Sequence, residues 1–478
     1  MEHEPYQWNI AESLDDNHVT SLYWSLAVMA TIGGFLFGYD TSNIGSALTF
    51  IPYKLSGLAL GYLVAGASLG AALGALLAGP ITDRFGRKAL LLVDAAIYAL
   101  GALLSAFTVD AGMLLAARTL VGLAIGADSA VATAYIAEYA PKDRRGKLAI
   151  IQQWMITVGI LAAYVVAIVV FRLLPHHAGS WDWRLILGIG AVPALIGLGL
   201  RVKMPESPRW LFEKGYDQRL VETLHLLGIH PQPEDIQEAR KRESRAQDPK
   251  HRPVISGGVK RAFIIVAVFM IFQQITGINV PFYYGPKILE PYFAGPHMSA
   301  VGIAVSGIEA TLVLSVVNVL ATYIGFRQID RAGRKALARL GYGGMAFFMV
   351  LSAGAFAFLT GPLRAWLVLT TLAGFVVFFA FGVGGTGWII QGEYFPTAVR
   401  GRMAALAAVV DWLANFAITE LFPVMHTHWG LPADMLIFAA LAVLAVLFVN
   451  VWMPETRGLS VENIAQLFDK AAHPTRQE

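Results

Sequence analysis

The amino-acid sequence predicts an all-α membrane protein: twelve transmembrane helices in two pseudo-symmetric six-helix bundles, with cytoplasmic helices between the halves. Three observations predict it. The 478 residues are 56% hydrophobic and 14% charged, more apolar than a soluble chain of this length needs. Apolar runs of roughly 20 residues, each enough to cross ~30 Å of hydrocarbon, fall into two sets of six. Charged motifs in the connections recur in the same order in both sets.

In chain order, residues 1–21 form an acidic, cytoplasmic N-terminal tail without the basic n-region of a signal peptide, so no cleavage is expected. The N-terminal bundle, 22–203, holds runs at 22–50, 57–79, 89–108, 113–137, 148–171 and 184–202. Residues 204–260 are polar and rich in Lys and Arg, and read as a cytoplasmic helical linker with helices around 205–250. The C-terminal bundle, 261–453, holds runs at 261–290, 299–327, 336–360, 364–392, 402–425 and 432–453, and 454–478 closes the chain on the cytoplasmic side.

The sidedness follows from where the basic residues lie. Arg84, Arg87 and Lys88, then Lys142, Arg144, Arg145 and Lys147, then Arg331, Arg334 and Lys335, then Arg400 and Arg402 occupy alternate connections, while "TVDAG", "EPYFAGPHMS" and "HTHWGLPAD" carry none. The positive-inside rule then places both termini and the linker in the cytoplasm. Arg172, Arg184 and Arg364 are exceptions at outer ends. A net charge of +3 is too small to suggest a nucleic-acid partner, and zero cysteines exclude a disulfide. "GVGGTG" at 382–387 matches a dinucleotide pattern but has no flanking strand; it reads as flexible or close-packed membrane helix. His176, His177, His426 and His428 fall in outer loops, where no metal site is assigned; no cofactor is expected.

The repeat is specific. "DRFGRK" at 83–88 is matched by "DRAGRK" at 330–335, "EYAPKDRRG" at 138–146 by "EYFPTAVRG" at 393–401, and "MPESPRW" at 204–210 by "MPETRGL" at 453–459. One such motif alone would only mark the membrane surface. In both halves they predict a cytoplasmic ion-pair gate of Asp83, Arg87, Glu138, Arg145, Glu206 and Arg209 with Asp330, Arg334, Glu393, Arg400 and Glu455, paired when the inner side is closed. Duplicated halves with a site at their interface are a transporter architecture.

With "FQQITGINVPFYYGPKIL" in the seventh span, "WRLILG" in the sixth and "GWIIQGEYFP" in the tenth, the chain resembles the sugar porter family of the major facilitator superfamily over nearly all of residues 22–470. The resemblance implies the major facilitator fold and proton-coupled uptake of a monosaccharide, hexose or pentose, across the cell membrane by alternating access, by a monomer in lipid that is not an enzyme. Asp40, deep in the first run, and Arg118 match the family's proton-coupling pair. The proton affinity of Asp40 would change with the proximity of the guanidinium, because burial and a neighbouring cation act oppositely on a carboxyl. A static ion pair is the bland alternative. By resemblance Phe37, Gln273, Gln274, Asn279, Asn318, Trp388, Asp411 and Trp412 face the sugar: amides offer donors and acceptors to hydroxyls, and indoles pack against the apolar face of a pyranose. Interhelical glue and interfacial anchoring are the alternatives.

The pattern also departs from that family. Ile160 stands where many members carry Gln, and Asp411 where they carry Gln or Asn. Asp128 is similar to a residue of proton-coupled phosphate porters and lies about 80° around its helix from Arg118. With Asp94 and Glu309 also inside apparent spans, acids outnumber the one deep Arg, so uncompensated buried carboxyls should sit neutral, which predicts that Asp128 and Asp411 are protonated hydrogen-bond donors or, at Asp128 above all, a second proton site. A proton-coupled carrier of phosphate or a small organic solute, a passive sugar facilitator and a non-transporting sugar receptor are the other functions this reading leaves open.

Overall fold

A computed structural model of the chain describes residues 9–15, 17, 21–139, 145–246, 256–396, 399–457, 464, 467 and 468, with the side chains of 11, 12, 15, 137, 145–150, 242–246, 326, 329 and 330 left aside. The described residues are helical almost throughout. Among them eleven helices are long and apolar enough to cross a membrane, and the last, Arg400–Trp452, is two crossings that meet at Gly430. There φ is 74°, a left-handed conformation that favours glycine, and Pro432 starts the twelfth span. Uninterrupted helix is what a bilayer demands, since lipid offers backbone amides and carbonyls no partners.

The first six spans are Ser21–Ala47, Gly57–Phe85, Arg87–Ala106, Ala111–Tyr139, Arg145–Leu173 and Ala178–Val202. The first is broken at Thr31 into Ser21–Ala30 and Ile32–Ala47. The sixth begins at Ala178 rather than 184, through a π-helical turn over Ala178–Asp182. Three short helices follow, Pro208–Lys214, Asp217–Leu226 and Pro233–Ala246, docked on the first half: Tyr135 Oη donates to Pro205 O at 2.9 Å and Trp210 Nε1 to Asp83 O at 3.3 Å. The second six begin at Gly257 rather than 261. The seventh span is Gly257–Ile275, interrupted at Gly277 (φ 87°) and continued by Val280–Tyr283 and Gly285–Phe293. The eighth to tenth are Ala300–Ala332, Arg334–Phe358 and Gly361–Glu393. "GVGGTG" lies where a π-helical turn, Phe379–Gly384, passes into Gly385–Glu393, so it is membrane helix with no strand beside it.

Small residues set the packing. A Cβ on Gly122 would lie 1.8 Å from Ala67 O, and one on Gly126 1.9 Å from Ala71 O, so the second and fourth spans touch backbone to backbone. The halves meet at the end away from the repeated basic motifs. Tyr164 Oη of the fifth span donates to Phe282 O of the seventh at 2.5 Å, and Thr49 Oγ1 donates to Glu290 Oε2 at 3.4 Å. At the same end Arg172 pairs with Glu309, their side chains 66% and 42% exposed. Glu309 is therefore not a deep membrane acid as the sequence suggested. It lies at the lip of the closed end, where its partner and solvent keep its charge affordable.

Candidate transport site

Nine residues past the break in the first span, Asp40 projects into the first half, where it is 3% exposed. Arg118 of the fourth span, 1% exposed, meets it fork to fork: Nη2 donates to Asp40 Oδ2 at 2.8 Å and Nη1 donates to Oδ1. Nε donates to Leu63 O at 3.3 Å. Such a pair survives burial only if its geometry is good, and here each guanidinium nitrogen and both carboxylate oxygens have a partner. The segment that carries Asp40 packs against the other half: a Cβ on Gly45 would lie 2.4 Å from the O of Tyr283, on the seventh-span segment beyond Gly277.

A cavity lies between the halves at mid-depth. The first half lines it with Phe37, Thr41, Gln153, Ile156, Thr157 and Ile160, the second with Gln273, Gln274, Ile278, Asn279, Phe282, Asn318, Phe379, Trp388, Asp411, Trp412 and Asn415. All eight residues expected to face a sugar are in this lining. The amides form a chain: Asn279 Nδ2 donates to Gln274 Oε1 at 2.8 Å, and Gln274 Nε2 donates to Asp411 Oδ1 at 2.8 Å. Gln273 Nε2 donates to Gly384 O at 3.2 Å. The indoles bridge the halves, Trp388 Nε1 to Gln153 Oε1 at 2.9 Å and Trp412 Nε1 to Ser129 Oγ at 3.4 Å, while Phe37 meets Trp412 edge to face at 4.8 Å. A hinge of broken helix, a row of amides and two aromatic faces can bind a small polyhydroxylated solute.

Gln153 and Asn415 were missed from the sequence, yet both had a signal. Gln153 lies seven residues, two helical turns, before Ile160 and so on its face, where it supplies the amide that Ile160 lacks. Asn415 is one turn after Asp411 and accepts from Thr419 Oγ1 at 3.0 Å.

At the basic end the two repeats fold alike. Arg87 Nη2 donates to Glu138 Oε1 at 2.8 Å, with Asp83 3.8 Å from Arg87 Nη1. Glu206 accepts from the backbone N–H of Arg87 at 2.9 Å and of Ser207 at 2.8 Å. Burial pushes the Glu206 carboxyl above the ordinary carboxylate range, against the pull of those amides. In the second half Arg334 Nη2 donates to Glu393 Oε1 at 2.7 Å, and Glu455 accepts from the N–H of Arg334 at 3.0 Å. Each of these clusters ties span ends within one half. Arg209 lies on the Pro208–Lys214 helix, and Arg400 Nε donates to Phe395 O at 3.2 Å. The side chains of Arg145 and Asp330 fall outside the described residues.

The structure overturns one expectation of charge balance. A second arginine is buried among the membrane helices: Arg201, at the end of the sixth span, is 0% exposed and pairs with both Asp94 (2.8 Å) and Asp128. Those two acids are not uncompensated. The sequence signal was periodicity, because Ala194, Gly197 and Arg201 share one buried face at helical spacing.

Two six-helix halves, a central polar cavity and a buried ion pair beside it define a membrane solute carrier rather than an enzyme. Residues 26–468 match the family described as "Sugar (and other) transporter", and the chain belongs to that family. It is 32% identical over 475 residues to the arabinose-proton symporter of Bacillus subtilis, covering 98% of this chain and 100% of that one. It is 33% identical to a D-xylose transporter of Levilactobacillus brevis, over 91% of this chain and 93% of that one. Among solved structures, the partially occluded inward open conformation of the xylose transporter XylE from E. coli matches with a TM-score of 0.77 and 29% identity, covering 92% of this chain and all of that one.

Proposed function

We propose that this protein carries a monosaccharide, pentose or hexose, into the cell together with protons by alternating access. The observation that carries the reading is the Asp40–Arg118 fork next to the amide-lined cavity, whose lining includes Thr41, the residue that follows Asp40, together with Gln273, Gln274 and Asn279 of the broken seventh span. Protonating Asp40 frees Arg118 from its partner, which changes how the first and fourth spans are held as the halves, 22–203 and 261–453, rock about the sugar. The far-end contacts, Tyr164 with Phe282 and Arg172 with Glu309, open on the outward swing. The clusters at Arg87 and Arg334, each within one half, keep its inner ends rigid, and the inner gate opens and closes as these two rigid ends part and meet. The excess of Lys and Arg in their connections supports a cytoplasmic location for that end and both termini. The carrier acts as a monomer in the cell membrane.

Among the described residues, the cavity lining contains no Lys, Arg or His, and its one ionisable side chain is an acid, Asp411. That disfavours phosphate, which would meet a carboxyl with no cation to receive it. Uptake of labelled pentoses, hexoses and phosphate into reconstituted vesicles, with and without an imposed pH gradient, tests the reading. Accumulation of a sugar above its outside level only with the gradient supports it; equal accumulation without one refutes it.

A further inference from the structure

Arg201, Asp94 and Asp128 have no part in that scheme, and their side chains are 0%, 2% and 3% exposed. Arg201 uses all five of its N–H groups. Nε donates to Met29 O at 3.1 Å, Nη1 to Leu91 O and Asp94 Oδ1 at 2.8 Å each, and Nη2 to Ala30 O at 2.9 Å and to Asp128 Oδ2. Each carboxyl keeps one buried oxygen without a hydrogen-bond partner, Asp94 Oδ2 and Asp128 Oδ1, and the two side chains lie in reach of one another. With both acids ionised the charge is +1 − 2 = −1 in a site closed to water. One proton between the two orphaned oxygens brings the sum to zero and gives both a partner.

Where this happens matters. Met29 and Ala30 are the last residues before the break in the first span, and there Gly34 N–H turns to Thr31 O at 2.9 Å, leaving the Ala30 carbonyl to Arg201. Asp128 sits so close to the restarted helix that a Cβ on Gly33 would lie 1.8 Å from its carboxyl.

We propose that Asp94 and Asp128 hold one proton between them under Arg201, forming a proton-binding site separate from Asp40 that clamps the break of the first span. Loss of the proton leaves two carboxylates repelling each other beneath Gly33, which loosens the clamp and lets the Asp40-bearing segment, Ile32–Ala47, move against Ser21–Ala30. The other titratable groups on the surrounding helices are engaged elsewhere. Tyr98, one turn beyond Asp94, donates to Leu36 O, and Tyr135, two turns beyond Asp128, donates to Pro205 O. Lys203 is exposed, and Gln152 of the fifth span, which packs on Gly34, is uncharged.

Infrared titration of the purified full-length protein tests this. The wild type should show a protonated-carboxyl C=O band at neutral pH that is lost in both Asp94→Asn and Asp128→Asn but retained in Asp40→Asn and Asp411→Asn. Each single variant of the pair leaves Arg201 one carboxylate and should fold, whereas the double Asn variant leaves it none and should not. If one single variant fails to fold, the other still reports the shared proton. A band that survives in a folded Asp94→Asn or Asp128→Asn protein overturns the proposal, as does a folded double variant. The readout is spectroscopic, so it stands or falls independently of the transport reading.

Discussion

Replacing Asp40 by Asn should separate sugar movement from proton movement. On the proposed coupling, a single carboxyl held on both oxygens by one guanidinium carries one proton per cycle. A pH difference of one unit is worth ~1.4 kcal/mol per proton. A gradient of two units therefore drives wild-type accumulation toward ~100-fold, and the variant, with no carboxyl at residue 40 to couple the gradient to sugar, stays near onefold. Asn preserves the shape and one acceptor for Arg118 but removes the counter-charge, and breaking a buried pair costs ~3–5 kcal/mol. Correct folding is therefore checked by exchange of labelled for unlabelled sugar, which needs no net proton flux. The assay is labelled-sugar uptake into vesicles at equal starting concentrations and an imposed gradient. A variant that exchanges sugar and also accumulates it to the wild-type ratio refutes the reasoning.

Three further perturbations follow from the geometry. Gln274→Ala removes an amide of the cavity lining that also orders Asp411 and Asn279; the hydrogen bond it offers a sugar hydroxyl is worth ~1–3 kcal/mol, so sugar affinity measured by tryptophan quenching should weaken by ~5–150-fold, and an unchanged Kd would place the sugar elsewhere. Tyr164→Phe deletes the hydroxyl bonded to Phe282 O at the closed end, and a loss of ~1 kcal/mol should shift the equilibrium about fivefold toward opening there. Spin labels on cysteines placed across that end would read the shift against a chain with no cysteine of its own, and an unaltered distance distribution would count against it. Gly122→Val forces a branched side chain into Ala67 O, so the second and fourth spans must part; its detergent melting temperature should fall well below that of Ala116→Val, and parity between the two would contradict the packing.

The features that were legible in the sequence were those set by length, repetition and chemical type. Run lengths placed twelve crossings because each must cover the same hydrocarbon thickness. The lining amides and indoles were legible at their motifs. Features decided by tertiary partners were not. Nothing local marks the break at Thr31, since it depends on Arg201 taking carbonyls from a helix 171 residues away. Arg201 itself read as the end of a span beside Lys203, because its burial comes from Asp94 and Asp128 on two other helices. Glu309 misled in the opposite sense: it falls within an apolar run, but the long eighth span carries it out to Arg172. Gln153 hid beside Gln152, and only the second half of the molecule decides which of the two meets the cavity.

The central claim is that sugar and proton move together, and charge movement tests it most directly. Wild-type vesicles adsorbed to a solid-supported membrane should give a transient inward positive current when the transported sugar is added with no pH gradient or voltage imposed, and Asp40→Asn vesicles should give none. Sugar entry into wild-type vesicles at full rate with no accompanying charge displacement would contradict the account.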